Sequence, residues 1–350
     1  MRNTTALFAR VSRSSQKVIV PINDSALSKD TPRAALYCVH SVSGVAGTDF
    51  LDLAQRLEPA IRFYGIQAPP KMSDAEFGGS VEEMAEHYVE ALMEFQPRGP
   101  LMLGGYCVGA IVALEMAKRL RARGREVGPL LVIDGVPENV PGAIGRWNLK
   151  YWVELAKNLP GWFVHSDLTR NRSLHSLMSS LSKNLAAAGR GLVGLKRGQK
   201  RGGGYAIDSM MDLSIYPPAH RLFINRLFGA LFAYHPDQFT DEVVVYEATI
   251  TPLFYLPQIA RTWQTIAPKT KIVGIVGTHI SMMHEPYVDR MAEDIRKHVL
   301  EFFSNKARKE SELRIITDQT EGAQLDGQAI ASPDTVSAPL SSGPKTLPRI

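Results

Sequence analysis

Only two cysteines, Cys38 and Cys107, occur in 350 residues. A disulfide framework is therefore excluded, and a buried apolar core has to hold the chain together. No run of eighteen apolar residues exists, which excludes a membrane-spanning helix. Acids are missing from the first twenty residues, where Arg2, Arg10, Arg13 and Lys17 stand alone. That stretch faintly echoes a transit peptide but lacks the apolar centre of a secretory signal, and residues 1–17 are read as a basic, mobile arm. Acids are missing again between Leu168 and Ile207, a segment carrying Arg170, Arg172, Lys183, Arg190, Lys196, Arg197, Lys200 and Arg201. Aromatic residues stop at Phe303. The remainder, 306–350, is rich in Ser, Thr, Pro, Gly, Asp and Lys, cannot bury enough apolar surface to order itself, and is expected to be disordered. There is no internal repeat.

What is present suits one large α/β domain: 45% of the residues are hydrophobic, enough for a sizeable core. The formal charge of +5 favours an anionic partner. Cys38 lies inside the strand-like run Ala35-Leu36-Tyr37-Cys38-Val39 and reads as a small core filler. Cysteines used so sparingly point to a reducing compartment, the cytoplasm.

Strand-like and helical patterns alternate along the chain. Val18-Ile19-Val20-Pro21-Ile22 predicts a first strand, 35–39 a second, and the loop His40-Ser41-Val42-Ser43-Gly44 follows. Phe50, Leu53, Ala54 and Leu57 recur at helical spacing, and 61–66 is strand-like. Ser80 and Glu83 make a capping-box pair ahead of an amphipathic helix with Met84, Tyr88, Leu92 and Phe95 on its apolar face. From about 138 to 230 the rhythm breaks into helical patches and a glycine-rich stretch, which has the character of an inserted lid. Alternation resumes at Val243-Val244-Val245-Tyr246 and Ile272-Val273-Gly274-Ile275-Val276, and a closing helix is expected from about 288 to 303.

The chemistry concentrates at Gly105-Tyr106-Cys107-Val108-Gly109. An apolar strand, Leu101-Met102-Leu103, precedes it and a small-residue helix beginning Ala110-Ile111-Val112-Ala113-Leu114 follows. Glycines two positions either side of a nucleophile let a strand reverse sharply into a helix, lifting the reactive atom to the sheet edge beside the helix N-terminus. With 28 glycines in the chain, a glycine at both offsets of either cysteine arises by chance about once in a hundred. Context therefore decides. Arg119, Arg121 and Arg123 in the last turn, Gly124 as a stop and the apolar run Leu130-Leu131-Val132-Ile133 complete a βαβ unit and imply a parallel sheet.

A thiol nucleophile needs a base to manage its proton and an acid to orient that base. Among nine histidines, His279 alone directly follows a late core strand, in Gly277-Thr278-His279. Two acids are candidates: Asp134, ending the strand after the nucleophile helix, and Glu247, ending a later strand. Two preorganised NH groups are also required to stabilise an oxyanion. One is expected from Val108, after the nucleophile, and the other from Val42, in the loop after an early strand. His40 reads as a brace for that loop.

With these residues set out, the sequence resembles the thioesterase domains that unload nonribosomal peptide and polyketide assembly lines. The likeness runs through 36–44, 64–68, 80–88 with Gln96-Pro97, 104–116, 130–134, 234–248 and 277–286 in family order, and covers about 18–305. It implies an α/β-hydrolase fold, a mostly parallel central sheet flanked by helices with an inserted helical lid. It also implies the acid at Asp134, the base at His279 and the second oxyanion NH at Val42. Most relatives carry serine where this chain has Cys107.

The resemblance implies that Cys107 accepts an acyl or peptidyl group from a phosphopantetheine thioester, delivered on a carrier protein or coenzyme A, and releases it by hydrolysis. No cofactor or metal of its own is implied. A thioester on Cys107 would stay activated, so transfer or cyclisation onto an amine or alcohol is the rival outcome, and a non-catalytic carrier-binding protein is a second rival. The chain opens on Met1 with no carrier domain before it, so a free-standing enzyme meeting its carrier in trans is expected. The basic stretch between Leu168 and Ile207 would dock an acidic carrier. It lacks the interleaved aromatics of a nucleic-acid site and the amphipathic period of a membrane-surface helix.

Overall fold

The computed structural model describes residues 18–23, 34–69, 79–137, 153, 157, 217–250 and 259–328. Their seven strands form one sheet in the order β1-β3-β2-β4-β5-β6-β7. In chain order these are β1 (Ile19–Pro21), β2 (Ala34–Val39), β3 (Ile61–Ile66), β4 (Leu103–Tyr106), β5 (Leu130–Ile133), β6 (Val243–Ala248) and β7 (Thr270–Ile275). β1 runs antiparallel to β3, and every other pairing is parallel. The middle strands are unbroken apolar runs because a parallel sheet is covered on both faces, so neither side of the strand meets water. Leu130, Leu131, Val132 and Ile133 are accordingly fully buried, as are Val243, Val244 and Val245.

The helices that cover the sheet follow from spacing and capping. α1 (Ala46–Asp49) and α2 (Leu51–Leu57) succeed the loop after β2, and α2 buries Leu53, Ala54 and Leu57. α3 (Val81–Phe95) begins where the Ser80 hydroxyl accepts the Glu83 N–H at 3.1 Å and buries Val81, Met84, Ala85, Tyr88, Val89 and Leu92. Full burial of each large apolar side chain contributes about 1.5–3 kcal/mol. α4 (Gly109–Ala122) is apolar around most of its circumference and buries ten residues, as befits a helix packed behind the central strands. Its exposed end is tied to α3 by Arg119, which bonds Glu86 at 2.7 Å and Glu115 at 2.9 Å.

Three sequence expectations change. Residues 218–230, counted with the lid, belong to α5 (Pro218–Ala233), whose Phe223, Ile224, Leu227 and Phe228 join the central apolar cluster with Ile111, Leu114 and Val132. Their spacing buries one helical face against the sheet layer, so this helix is core and not lid. The rest of the expected lid lies outside the described residues apart from Pro217 and the helical, exposed Val153 and Lys157, and so do the basic docking segment and the arm 1–17. The strand before Cys107 begins at Leu103 and runs through both glycines to Tyr106, while Leu101 makes only an isolated bridge with Val127.

The third change is at the C-terminus. After α6 (Ile259–Ile266), the last helix α7 spans Val288–Gln328 and does not end near Phe303. The chain divides into two units, residues 1–302 and 303–350. Within the second, helix runs on to Gln328 where the sequence led to an expectation of disorder from 306, and Lys306–Glu310 and Arg308–Glu312 pair at i,i+4 along its start. Residues 329–350 lie outside the described set. None of the described helices is long and apolar enough to cross a membrane.

Candidate active site

The loops after β2, β4, β5 and β7 all leave the carboxyl edge of the sheet. The strand order reverses between β2 and β4, since the chain moves outward to β3 and then returns past β2. Such a switch point opens a crevice at the carboxyl ends of the two strands. Cys107 stands on one side of it and the loop 40–44 on the other.

Cys107 turns the strand into α4 with φ +57°, a left-handed backbone that L residues other than glycine rarely adopt. Its N–H still donates to the Ile133 carbonyl at 2.9 Å, extending the β4–β5 ladder by one step. The flanking glycines are required by close approach. A Cβ at position 105 would lie 2.2 Å from the Gly109 carbonyl oxygen, and one at position 109 would lie 2.2 Å from that of His40. Val108 then occupies the N-cap of α4. Its N–H has no partner among the described residues.

Asp134 also sits at positive φ, +46°, which Asp tolerates better than most residues. One carboxylate oxygen accepts the Ala248 N–H at 2.8 Å and the other pairs with His279 Nδ1 at 2.7 Å. Just beyond it, the Gly135 carbonyl accepts the buried Trp263 Nε1–H at 2.7 Å. The carboxylate is therefore held by β6 and by the turn that carries His279, and the backbone beside it by helix α6.

His279 rides a turn closed by Thr278 and Ser281: the Thr278 N–H donates to Ser281 Oγ at 2.8 Å, and the Met282 N–H to the Thr278 carbonyl at 3.0 Å. Nδ1 bonds Asp134, and the Cys107 sulfur is near enough for its charge to act on the imidazole. Desolvation works against protonation of this ring. The charge of the Cys107 sulfur, the hydrogen bonds to Asp134 and Cys107 and the Asp134 charge outweigh it, and His279 titrates well above an ordinary histidine. Cys107, His279 and Asp134 are thus brought together at one edge of the sheet.

Glu247 takes no part in that arrangement. Burial, and then the neighbouring Asp134 charge, raise its carboxyl above the ordinary glutamate value, against the pull of the Ala260 backbone bond. Of the two acids considered from sequence, Asp134 is the one bonded to the imidazole.

Val42 lies in a turn closed by the Gly44 N–H donating to the Ser41 carbonyl at 3.2 Å, and among the described residues nothing takes up the Val42 N–H. His40, 1% exposed, braces the start of this loop. Its Nδ1 faces the Ser41 carbonyl, which can only accept, so Nδ1 carries the proton and Nε2 accepts from the Tyr88 hydroxyl at 2.8 Å. Desolvation keeps this ring below the ordinary histidine value despite the Ser41 bond and the Asp49 charge. From the opposite side, His220 of α5 hydrogen-bonds the Val42 backbone.

Two contributors escaped the sequence reading. Tyr106 stacks on His279 with ring centroids 4.9 Å apart and planes 26° from parallel, and its hydroxyl donates to the His279 carbonyl at 2.8 Å. The Asp49 carboxylate accepts the Ser41 N–H and the Ser43 hydroxyl, on either side of Val42. An aromatic beside the nucleophile was visible in the motif; its contact with a residue 173 positions away was not. Among the described residues no His, Cys, Asp and Glu cluster is arranged to hold a metal ion.

A mostly parallel sheet, a strained turn at Cys107 between strand and helix, and a histidine after the last strand define an α/β-hydrolase-type protein. The thioesterase domain family matches residues 34–299, and the chain belongs to that family. It is 37% identical over 102 residues to enterobactin synthase component F of Escherichia coli (strain K12), covering 29% of this chain and 8% of that protein. It is 32% identical over 117 residues to polyketide synthase PksR of Bacillus subtilis (strain 168), covering 33% and 4%. The chain therefore spans a small fraction of the length of these relatives. The NocB thioesterase domain, solved as a covalent complex with a fluorophosphonate nocardicin G analogue, is similar at a TM-score of 0.51 and 22% identity, covering 81% of this chain and 99% of that one. That likeness concerns the fold.

Proposed function

We propose that this thioesterase domain takes an acyl or peptidyl group from a phosphopantetheine thioester onto Cys107 and releases it by hydrolysis. The Cys107 sulfur attacks the thioester carbonyl, forming a carbon–sulfur bond and an oxyanion that the N–H groups of Val108 and Val42 stabilise. Collapse breaks the bond to the pantetheine sulfur, which leaves with the proton of the His279 imidazolium. The neutral imidazole then takes a proton from water as its oxygen attacks the acyl-enzyme. The second collapse frees the carboxylic acid and returns the Cys107 sulfur and the imidazolium to their starting state. Asp134 holds the ring orientation throughout.

The observation that carries this reading is the Asp134–His279 bond beside Cys107 at its strained turn, the three residues standing on three loops of one sheet edge. Sequence similarity to synthase and synthetase relatives supports the substrate class. A carrier protein acting in trans is part of the same proposal, as is a reducing, cytoplasmic setting, which two free cysteines suit.

Acyl transfer from one thiol to another exchanges thioester for thioester, so the Cys107 adduct keeps its reactivity toward an amine or alcohol as well as water. Intact-mass spectrometry after mixing the protein with an acyl-pantetheine thioester is expected to show an acyl adduct that Cys107→Ala lacks. His279→Ala should slow turnover about 10²–10⁴-fold. No adduct on the wild type, or normal turnover by Cys107→Ala, would sink the reading. Amide or ester outpacing free acid when acceptors are supplied would replace hydrolysis by transfer.

A further inference from the structure

We propose that Asp49 is a positioning residue for the oxyanion-binding loop. Its carboxylate accepts the Ser41 N–H at 2.7 Å and the Ser43 hydroxyl at 2.9 and 3.0 Å. The Ser43 oxygen in turn accepts the Val45 N–H at 3.0 Å. Ser41 and Ser43 are the residues either side of Val42, so the carboxylate grips the turn at both shoulders and leaves the Val42 N–H between them. Ser41 is buried, and Asp49 is half-buried at the end of α1.

The charge itself argues for a geometric role. A carboxylate beside an oxyanion site works against developing negative charge, and the field of Asp49 reaches both His40 and Tyr106. Its contribution must therefore lie in the short charge-assisted bonds that hold one loop shape. The turn is otherwise secured by the Gly44 N–H and His40 Nδ1 on the Ser41 carbonyl, the Ser43 N–H on Ser41 Oγ at 3.2 Å, the Ala68 N–H on the Gly44 carbonyl at 3.0 Å, and His220. The Ser41 carbonyl belongs to the peptide that carries the Val42 N–H, so those bonds hold that peptide at its oxygen, and Asp49 adds the hold on either side of it, through the Ser41 N–H before and the Ser43 hydroxyl after. An oxyanion donor displaced by about 1 Å loses about 10²-fold in rate.

This inference rests on Val42 as an oxyanion donor in the proposed function. The test compares two reactions of the same sulfur in the full chain. Acylation by octanoyl-pantetheine thioester passes through an oxyanion, whereas alkylation by iodoacetamide does not. Asp49→Ala should slow acylation about 10²-fold while alkylation keeps the wild-type rate. Asp49→Asn, which retains one carbonyl oxygen for the loop, should recover part of the loss, and Ser43→Ala should fall between. If Asp49→Ala fails to fold, Asp49→Asn and Ser43→Ala carry the comparison. Equal acylation rates in folded variants and wild type would overturn the inference, as would acylation and alkylation falling by the same factor. A wild type that forms no adduct overturns the proposed function and this inference together; a wild type that acylates normally beside unaffected variants overturns this inference alone.

Discussion

His279 shows how one side chain is set by its neighbours. Desolvation would keep the ring neutral, yet the sulfur charge of Cys107, the hydrogen bonds and the Asp134 carboxylate prevail. Removing the sulfur removes the largest cause favouring protonation. In Cys107→Ala the His279 titration followed by NMR should move down, and Asp134→Asn should also lower it through loss of the charge-assisted bond. An unchanged His279 titration in both variants would contradict this electrostatic account. Gly109 is a second residue-scale constraint, because an added Cβ would meet the His40 carbonyl at 2.2 Å. Gly109→Ala is expected to destabilise the fold by about 3 kcal/mol, read from urea denaturation midpoints.

At the scale of elements, Trp263 links helix α6 to the turn after β5. The ring is fully buried and its N–H donates to the Gly135 carbonyl, one residue beyond Asp134. Trp263→Phe leaves that carbonyl unsatisfied and should destabilise by about 1–3 kcal/mol, with slower acylation of Cys107 because the Asp134 turn loosens. Denaturation and adduct-formation rates measured on the same protein check both halves. The element pattern was largely legible in the sequence because parallel strands are continuous apolar runs and Ser80 announces its helix. Gly104 and Gly105 hid the true extent of β4: glycine is a poor strand former, but backbone ladders to Cys38, Val39, Leu131 and Val132 hold it without side chains. The continuation of α7 past Phe303 was hidden for the opposite reason, since charge pairs at i,i+4 support a helix without any apolar period. Cys107 and His279 stood out in the sequence because each follows a strand end, whereas strand ends alone left Asp134 and Glu247 as alternatives and it is the His279 bond that distinguishes them; Tyr106 on His279 and Asp49 on Ser43 depend on side-chain packing across the folded crevice, which no local pattern encodes.

At the scale of the molecule, two histidines place opposite pressures on stability. His40 is buried neutral, with its folded value below about 6.5, so the unfolded chain takes up the proton first as pH falls. Its contribution is present above that unfolded value and lost on acidification through the folded one. His279 is the reverse: its folded value is raised, so its contribution is complete below about 6.5 and is lost as pH rises through the raised value. Folding free energy should therefore be greatest near neutrality and fall on both sides. Urea denaturation across pH should show the alkaline fall flattened in Cys107→Ala, where the main cause raising His279 is gone, and the acid fall flattened in His40→Gln. An alkaline limb in Cys107→Ala as steep as in the wild type would mean that the sulfur and imidazole do not share charge in the folded protein, and the arrangement of Asp134, His279 and Cys107 would lose its electrostatic basis.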